Sequence, residues 1–245
     1  MEKKKNNPIY LGFASQKGGV GKSSLAEVLA SILYYVKNIS LAVVDCDGTQ
    51  ESFYKLRERD RDLIESSPEM SKELHERLSR YGKKSYHIVR SKPERAVSDV
   101  MKFLCKMKMV PQLIIFDFPG HALTSAMMDL SITMDFISPI EADPQSLASS
   151  FAYAKTIRDL GVGFEGSRIQ DFFLLWNKIN RTTSTTVIDL FSQNAEGDCR
   201  FSIPVSTTPS DSAGNWHKGV SKVYFAAPTC PLYQLSALRQ EWMSG

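Results

Sequence analysis

Three features of the sequence predict an α/β fold: a mostly parallel, doubly wound sheet with helices on both faces. Short, wholly apolar runs such as Leu113-Ile114-Ile115-Phe116 recur along the chain, with helical patterns between them. These runs are continuous rather than alternating in polarity, as expected for strands covered on both sides. Glycines and aspartates gather at the ends of the runs, where open parallel sheets bind their ligands.

Taken in order, residues 9–14 read as a strand. Residues 22–36 read as a helix with Leu25, Val28, Leu29, Ile32 and Leu33 on one face. Residues 41–44 form a second strand, ending in Asp45-Cys46-Asp47-Gly48. The charged middle predicts helices over 50–64 and 70–81, a short strand at 86–89, and a helix over 93–109 stopped by Pro111. The run 113–116 is the clearest buried strand and closes in Asp117-Phe118-Pro119-Gly120. Beyond it come a helix over 123–132, a strand over 136–140, a helix opened by Pro144 and a strand over 172–176. A helix near 183–193, a short strand at Ile203 and a terminal helix near 233–243 complete the pattern. With no internal repeat, low-complexity stretch or Pro/Gly-rich linker, the expected organisation is one domain over 1–245. It carries a charged, mainly helical segment at about 51–111.

The 245 residues are 42% hydrophobic and 23% charged, which excludes a wholly disordered chain. No apolar run approaches the ~18 residues of a membrane span. The basic first eight residues lead into no secretory core, so a cytoplasmic location is expected. Cys46, Cys105, Cys199 and Cys230 are scattered, which disfavours a zinc site or a disulfide framework. The net charge of +3 hides an asymmetry: residues 55–108 hold 15 basic and 9 acidic residues, half of all the positive charge.

After the first strand comes Ser15-Gln16-Lys17-Gly18-Gly19-Val20-Gly21-Lys22-Ser23-Ser24. Glycines let backbone N–H groups crowd a phosphate without Cβ clashes, and the following helix adds its positive end there. Lys22 would reach the β- and γ-phosphates, and the Ser23 hydroxyl would ligate Mg²⁺. A plain glycine-rich turn is the competing reading, but strand before, Gly-Lys-Ser at the turn and helix after argue against it. Gln16 stands where the general phosphate-loop pattern places its first glycine.

The string Lys17-Gly18-Gly19-Val20-Gly21-Lys22-Ser23 resembles the deviant phosphate loop of the ParA/MinD family of ATPases. The resemblance implies a P-loop NTPase fold of the SIMIBI type, with ATP and Mg²⁺ bound. It also implies an ATP-dependent homodimer in which Lys17 crosses to the partner subunit's nucleotide. Residues 17–24 would line the ATP site, with Lys17 and Lys22 catalytic. Asp117 resembles the Walker B acid. Asp45-Cys46-Asp47 resembles the second-strand motif, in which Asp45 helps organise the metal with Ser23 and Asp117, and Asp47 lies near the attacking water. A weakly basic carboxylate that orients water suffices for phosphoryl transfer. Each aspartate alone also reads as a strand-end or N-cap residue. The family usually reads D-x-D-P-Q and D-x-P-P; here Gly48 follows Asp47, and Pro119-Gly120 form the expected switch.

Asp117-Phe118-Pro119-Gly120-His121 also resembles the switch of translational GTPases, and Asn177-Lys178-Ile179-Asn180 is one residue from their guanine motif. Guanine selection needs a carboxylate accepting two hydrogen bonds, whereas Asn180 offers one acceptor beside a donor. ATP is therefore expected, with Asn177 and the Ile203-Pro204-Val205 strand end (Pro204) near the nucleotide as the family resemblance implies. His121 reads as a loop histidine in preference to a switch residue.

Within the family, no cysteine pair suits the iron–sulfur branch. The tail 232–243 carries Leu235, Leu238 and Trp242 on one face with Arg239 its one basic residue, so no stable membrane anchor is expected. The ParA branch implies non-specific DNA binding, a ParB-like or other cargo adaptor, nucleoid association, and a role in segregation, positioning or transfer of DNA for a plasmid or conjugative element; a nucleotide-gated binding module with little hydrolysis, or a MinD-like positioning ATPase, is the alternative. The candidate DNA contacts are Arg57, Arg59, Arg61, Arg77, Arg80, Lys83 and Lys84; solvated helix faces balanced by neighbouring acids are the equal alternative. Too few residues precede the phosphate loop for a helix-turn-helix, so operator recognition is not expected.

Overall fold

The computed structural model describes residues 7–47, 52–120, 134–141, 143–163, 172–178 and 200–202. Among the described residues there are seven strands: β1 (Ile9–Phe13), β2 (Leu41–Asp45), β3 (His87–Arg90), β4 (Leu113–Asp117), β5 (Asp135–Ile140), β6 (Phe172–Trp176) and β7 (Arg200–Ser202). They hydrogen-bond in the order β3-β2-β4-β1-β5-β6-β7. The pairs β2/β3, β2/β4, β5/β6 and β6/β7 are parallel. This is the mostly parallel α/β sheet that the sequence predicts.

The chain divides into two compact units, Met1–Leu11 with Ser23–Phe118, and Gly12–Lys22 with Pro119–Gly245. In the first, β2 and β4 are buried at every position, and their register sets Asp45 beside Asp117. Burying each Val, Leu, Ile or Phe contributes about 1.5–3 kcal/mol, so the unbroken apolar runs place the core here. The Tyr10 and Phe116 rings meet edge-on at 5.5 Å. Helix α1 (Lys22–Ser31) continues into a π-helical turn, Ile32–Val36, closed by Lys37 N–H donating to the Ile32 carbonyl at 3.0 Å. The continuous α-helix expected over 22–36 therefore widens in its last turn. Helices α2 (Ser52–Ser66) and α3 (Pro68–Tyr81) form the charged middle. Ser67 caps α3 by accepting from Met70 N–H, with Pro68 in the first turn. The helix expected over 93–109 is a 3₁₀ turn (Pro93–Arg95) leading into α4 (Ala96–Lys106), with extended backbone at Met107.

In the second unit, β5 is wholly buried, pairing Phe136 with Phe172 through to Ile140 with Trp176 along β6. Helix α5 (Pro144–Gly163) follows, opened by Pro144 as expected. The last strand occupies 200–202, just before Ile203. The helices expected at 123–132, 183–193 and 233–243, together with Gly48, His121, Asn180, Ile203 and Pro204, lie outside the described residues. Among the described residues no helix is long and apolar enough to cross a membrane.

Candidate functional site

The loop between β1 and α1 has the backbone that its glycines predict. Gly19 and Gly21 take φ of +74° and +89°, the left-handed region that disfavours a Cβ. At Gly21 a Cβ would also overlap the Asn177 amide nitrogen. The Ser15 hydroxyl donates to the Lys17 carbonyl at 2.7 Å, tightening the start of the loop. Val20 is buried beneath it, Lys22 is buried to 8% exposure, and Gly18 and Gly19 face solvent. Ser23 is half-buried at the start of α1, and Ser24 is exposed.

Three residues from strand ends close on this loop within the same unit. The Asn177 amide donates to the Val20 carbonyl at 2.8 Å. The Lys178 ammonium donates to the Gly19 carbonyl at 2.6 Å and pairs with Glu141 at 2.7 Å. Gly120 lies against the loop: a Cβ on it would sit 3.3 Å from Gly18 Cα and 3.6 Å from Lys22 Nζ. The residue ahead of it, Pro119, is half-buried.

Lys17 does not project alone. Its ammonium pairs with Glu141 and Asp143, each at 3.1 Å. Glu141, then Asp143, raises the Lys17 pKa above the ordinary lysine value. The reciprocal effect lowers Glu141, with Lys178 the larger cause and Lys17 the lesser. One carboxylate thus bridges two lysines. Neither Glu141, Asp143 nor Lys178 stood out in the sequence as a site residue. The available signal was position: each comes just after the end of a strand, where the ligand-binding edge of a parallel sheet lies.

In the other unit, Asp45 and Asp117 end adjacent strands and are 2% and 0% exposed. Asp45 is engaged by backbone. One oxygen accepts from Asp47 N–H at 3.3 Å, the other from Phe53 and Tyr54 N–H at 3.0 and 3.2 Å. It thereby caps the first turn of α2. Burial raises its pKa, while the Tyr54, Asp47 and Phe53 N–H groups oppose that rise. Asp47 is half-buried. Between them, the buried Cys46 thiol is pushed well up in pKa by burial first, and then by Asp117, Asp45, Glu94 and Asp47. The carboxylates therefore create one electronegative neighbourhood. Oxygen donors of this kind, with the Ser23 hydroxyl, suit Mg²⁺, which keeps several waters and takes few protein ligands. Among the described residues no group of three or more His, Cys, Asp or Glu is arranged to hold a metal ion.

The candidate DNA-binding cations part company. Arg57 donates to the Tyr86 carbonyl and lies over the Tyr86 ring at 4.6 Å. Lys83 donates to the Tyr34 carbonyl at 2.6 Å and lies over that ring at 4.3 Å. Both make internal contacts while staying half-buried. Arg59 pairs with Asp60 at 3.2 Å and is exposed, as are Arg61, Arg80 and Lys84. The Arg77 side chain is outside the described set.

Residues 11–206 match the model of the CobQ/CobB/MinD/ParA nucleotide-binding domain. No curated protein matches the chain. Among solved structures, a plasmid partition protein from Borrelia burgdorferi is similar at 17% identity and a TM-score of 0.52, covering 84% of this chain and 93% of that one. A candidate plasmid partition protein of B. burgdorferi B31 bound to AMPPNP matches at 18% identity and 0.54, over 83% and 86%. The ParA of pNOB8 bound to nonspecific DNA matches at 15% identity and 0.51, over 78% and 75%. At these identities the likeness speaks for the fold.

Proposed function

The chain belongs to the CobQ/CobB/MinD/ParA family of nucleotide-binding domains, and from that premise we propose that it is a ParA-like ATPase whose Mg·ATP-dependent dimerisation and hydrolysis serve DNA segregation, positioning or transfer. The observation that carries this reading is the phosphate loop itself. Lys17 to Ser23 has left-handed Gly19 and Gly21 and a buried Lys22 at the junction of strand and helix.

In this reading the loop N–H groups and Lys22 hold the triphosphate, and Ser23, Asp45 and Asp117 hold Mg²⁺, whose charge neutralises the transferring phosphoryl group. Asp47 orients the attacking water. Asn177 and Pro204 border the adenine. Lys17 leaves Glu141 and Asp143 to reach the partner's nucleotide, and Pro119-Gly120 respond to the γ-phosphate. The exposed cations of residues 59–84 contact DNA phosphates without regard to sequence. A ParB-like or other adaptor stimulates turnover, and the protein resides in the cytoplasm on the nucleoid. Support for DNA as a partner comes from the structural likeness to a ParA bound to nonspecific DNA. Support for ATP comes from the likeness to a structure holding AMPPNP.

Single-turnover ATP hydrolysis tests the chemistry. Asp47→Ala is expected to slow it by about 10²–10³-fold, the range typical of losing a positioned general base or charge stabiliser. Equal rates for wild type and variant would contradict the assignment of Asp47.

A further inference from the structure

Asn177 and Lys178 follow β6 directly, and both side chains end on carbonyls of the phosphate loop. Asn177 Nδ2 reaches the Val20 carbonyl at 2.8 Å and Lys178 Nζ the Gly19 carbonyl at 2.6 Å. The pair is itself fixed. Asn177 N–H donates to the Ile140 carbonyl at 2.7 Å, and Glu141 holds the Lys178 ammonium at 2.7 Å. Lys178 also takes a left-handed φ of +56°, uncommon for a residue with a Cβ and maintained where the surroundings require it.

A trans peptide is planar, so each carbonyl points opposite to the N–H that follows it. Drawing the Gly19 carbonyl toward Lys178 turns the Val20 N–H away from that side. Drawing the Val20 carbonyl toward Asn177 does the same to the Gly21 N–H. Consecutive N–H groups presented together form an anion-binding nest. Gly21 has to be glycine for the Asn177 amide to approach so closely.

We infer that Lys178, together with Asn177, is a positioning residue for the phosphate loop: it sets the peptide planes that aim the Val20 and Gly21 N–H groups at phosphate, and Glu141 sets Lys178. The inference rests on the nucleotide reading above and adds to it how the loop is held ready. Lys178 need not touch the nucleotide, because its donors are directed to Gly19 and Glu141. Donating its proton to a carbonyl rather than to phosphate separates it in role from Lys22.

The test is calorimetric titration with tripolyphosphate and with Mg·ATP. The Lys178 side chain is 55% exposed, so its replacement leaves the fold intact, checked by an unchanged thermal midpoint. Lys178→Met is expected to weaken both ligands about ten-fold, the scale of one charge-assisted hydrogen bond. Lys178→Arg, which still donates to a carbonyl, should stay within about three-fold of wild type. The double variant K178M/E141Q should show the same loss as K178M. Wild-type affinity in K178M overturns the inference. So does full recovery in the double variant, which would trace the loss to an exposed Glu141 charge. A wild type that binds neither ligand overturns the nucleotide reading itself, and this inference with it.

Discussion

The phosphate loop and the charged middle of the chain are both rich in cations for their length, and they differ in how far the local sequence tells what those cations touch. In the loop, the glycines and Lys22 have the backbone and burial that the motif requires, because backbone geometry follows closely from glycine placement. In the segment 55–84 the local sequence does not reveal which cations face solvent. Arg57 and Lys83 turn onto Tyr86 and Tyr34, residues 29 and 49 positions away. A third cation, Arg90, lies over the Tyr54 ring at 4.4 Å. A charge count along the chain therefore does not separate cations that also make internal contacts from those that make none. Cations with an aromatic ring and a carbonyl within reach become internal struts, and the remainder stay available.

Substitutions can break that division. Replacing Arg61, Arg80 and Lys84 together with Ala is expected to have the larger effect: the slope of log affinity for DNA against log salt should fall by about 3. Nucleotide binding should be untouched. An unchanged slope removes these residues from the DNA contact. Arg57→Ala is expected to leave the DNA salt slope as it is. It should instead lower unfolding stability by about 1–2 kcal/mol, read as a shifted denaturant midpoint, through loss of a cation–π contact and a charged hydrogen bond. A changed slope with unchanged stability would reverse the assignment. The smallest effect concerns acid. Glu141 has its pKa lowered by Lys178 and Lys17. It therefore contributes stability that is present above the unfolded carboxyl value and lost as pH falls through the lowered one. Glu141→Gln should flatten the stability profile in that window, and an unaltered profile would show that the bridge contributes nothing to stability.

The same contrast separates what is legible in the sequence from what only the fold supplies. Strands such as 113–117 and 172–176 were legible because continuous apolar runs admit few other placements. The loop and its strand-end aspartates were legible because their chemistry is tied to spacing along the chain. The sequence offers Asp45 as a metal residue with capping as its plain alternative, and its carboxylate accepts from the Phe53 and Tyr54 amides. Only the folded chain could set those atoms together. Glu141 and Lys178 escaped for a related reason: they meet across 36 intervening residues, through the parallel pairing of β5 and β6. The π-helical turn after α1 gave no sequence signal, since its apolar positions also fit an α-helix.

Light scattering of the chain with and without Mg·ATP, repeated with DNA present, decides whether ATP drives a dimer that engages DNA. The expected result is a mass near the 27.5 kDa monomer without nucleotide, twice that with Mg·ATP, and salt-sensitive DNA association of the larger species alone. A mass that stays at the monomer value under saturating Mg·ATP, with or without DNA, would contradict it.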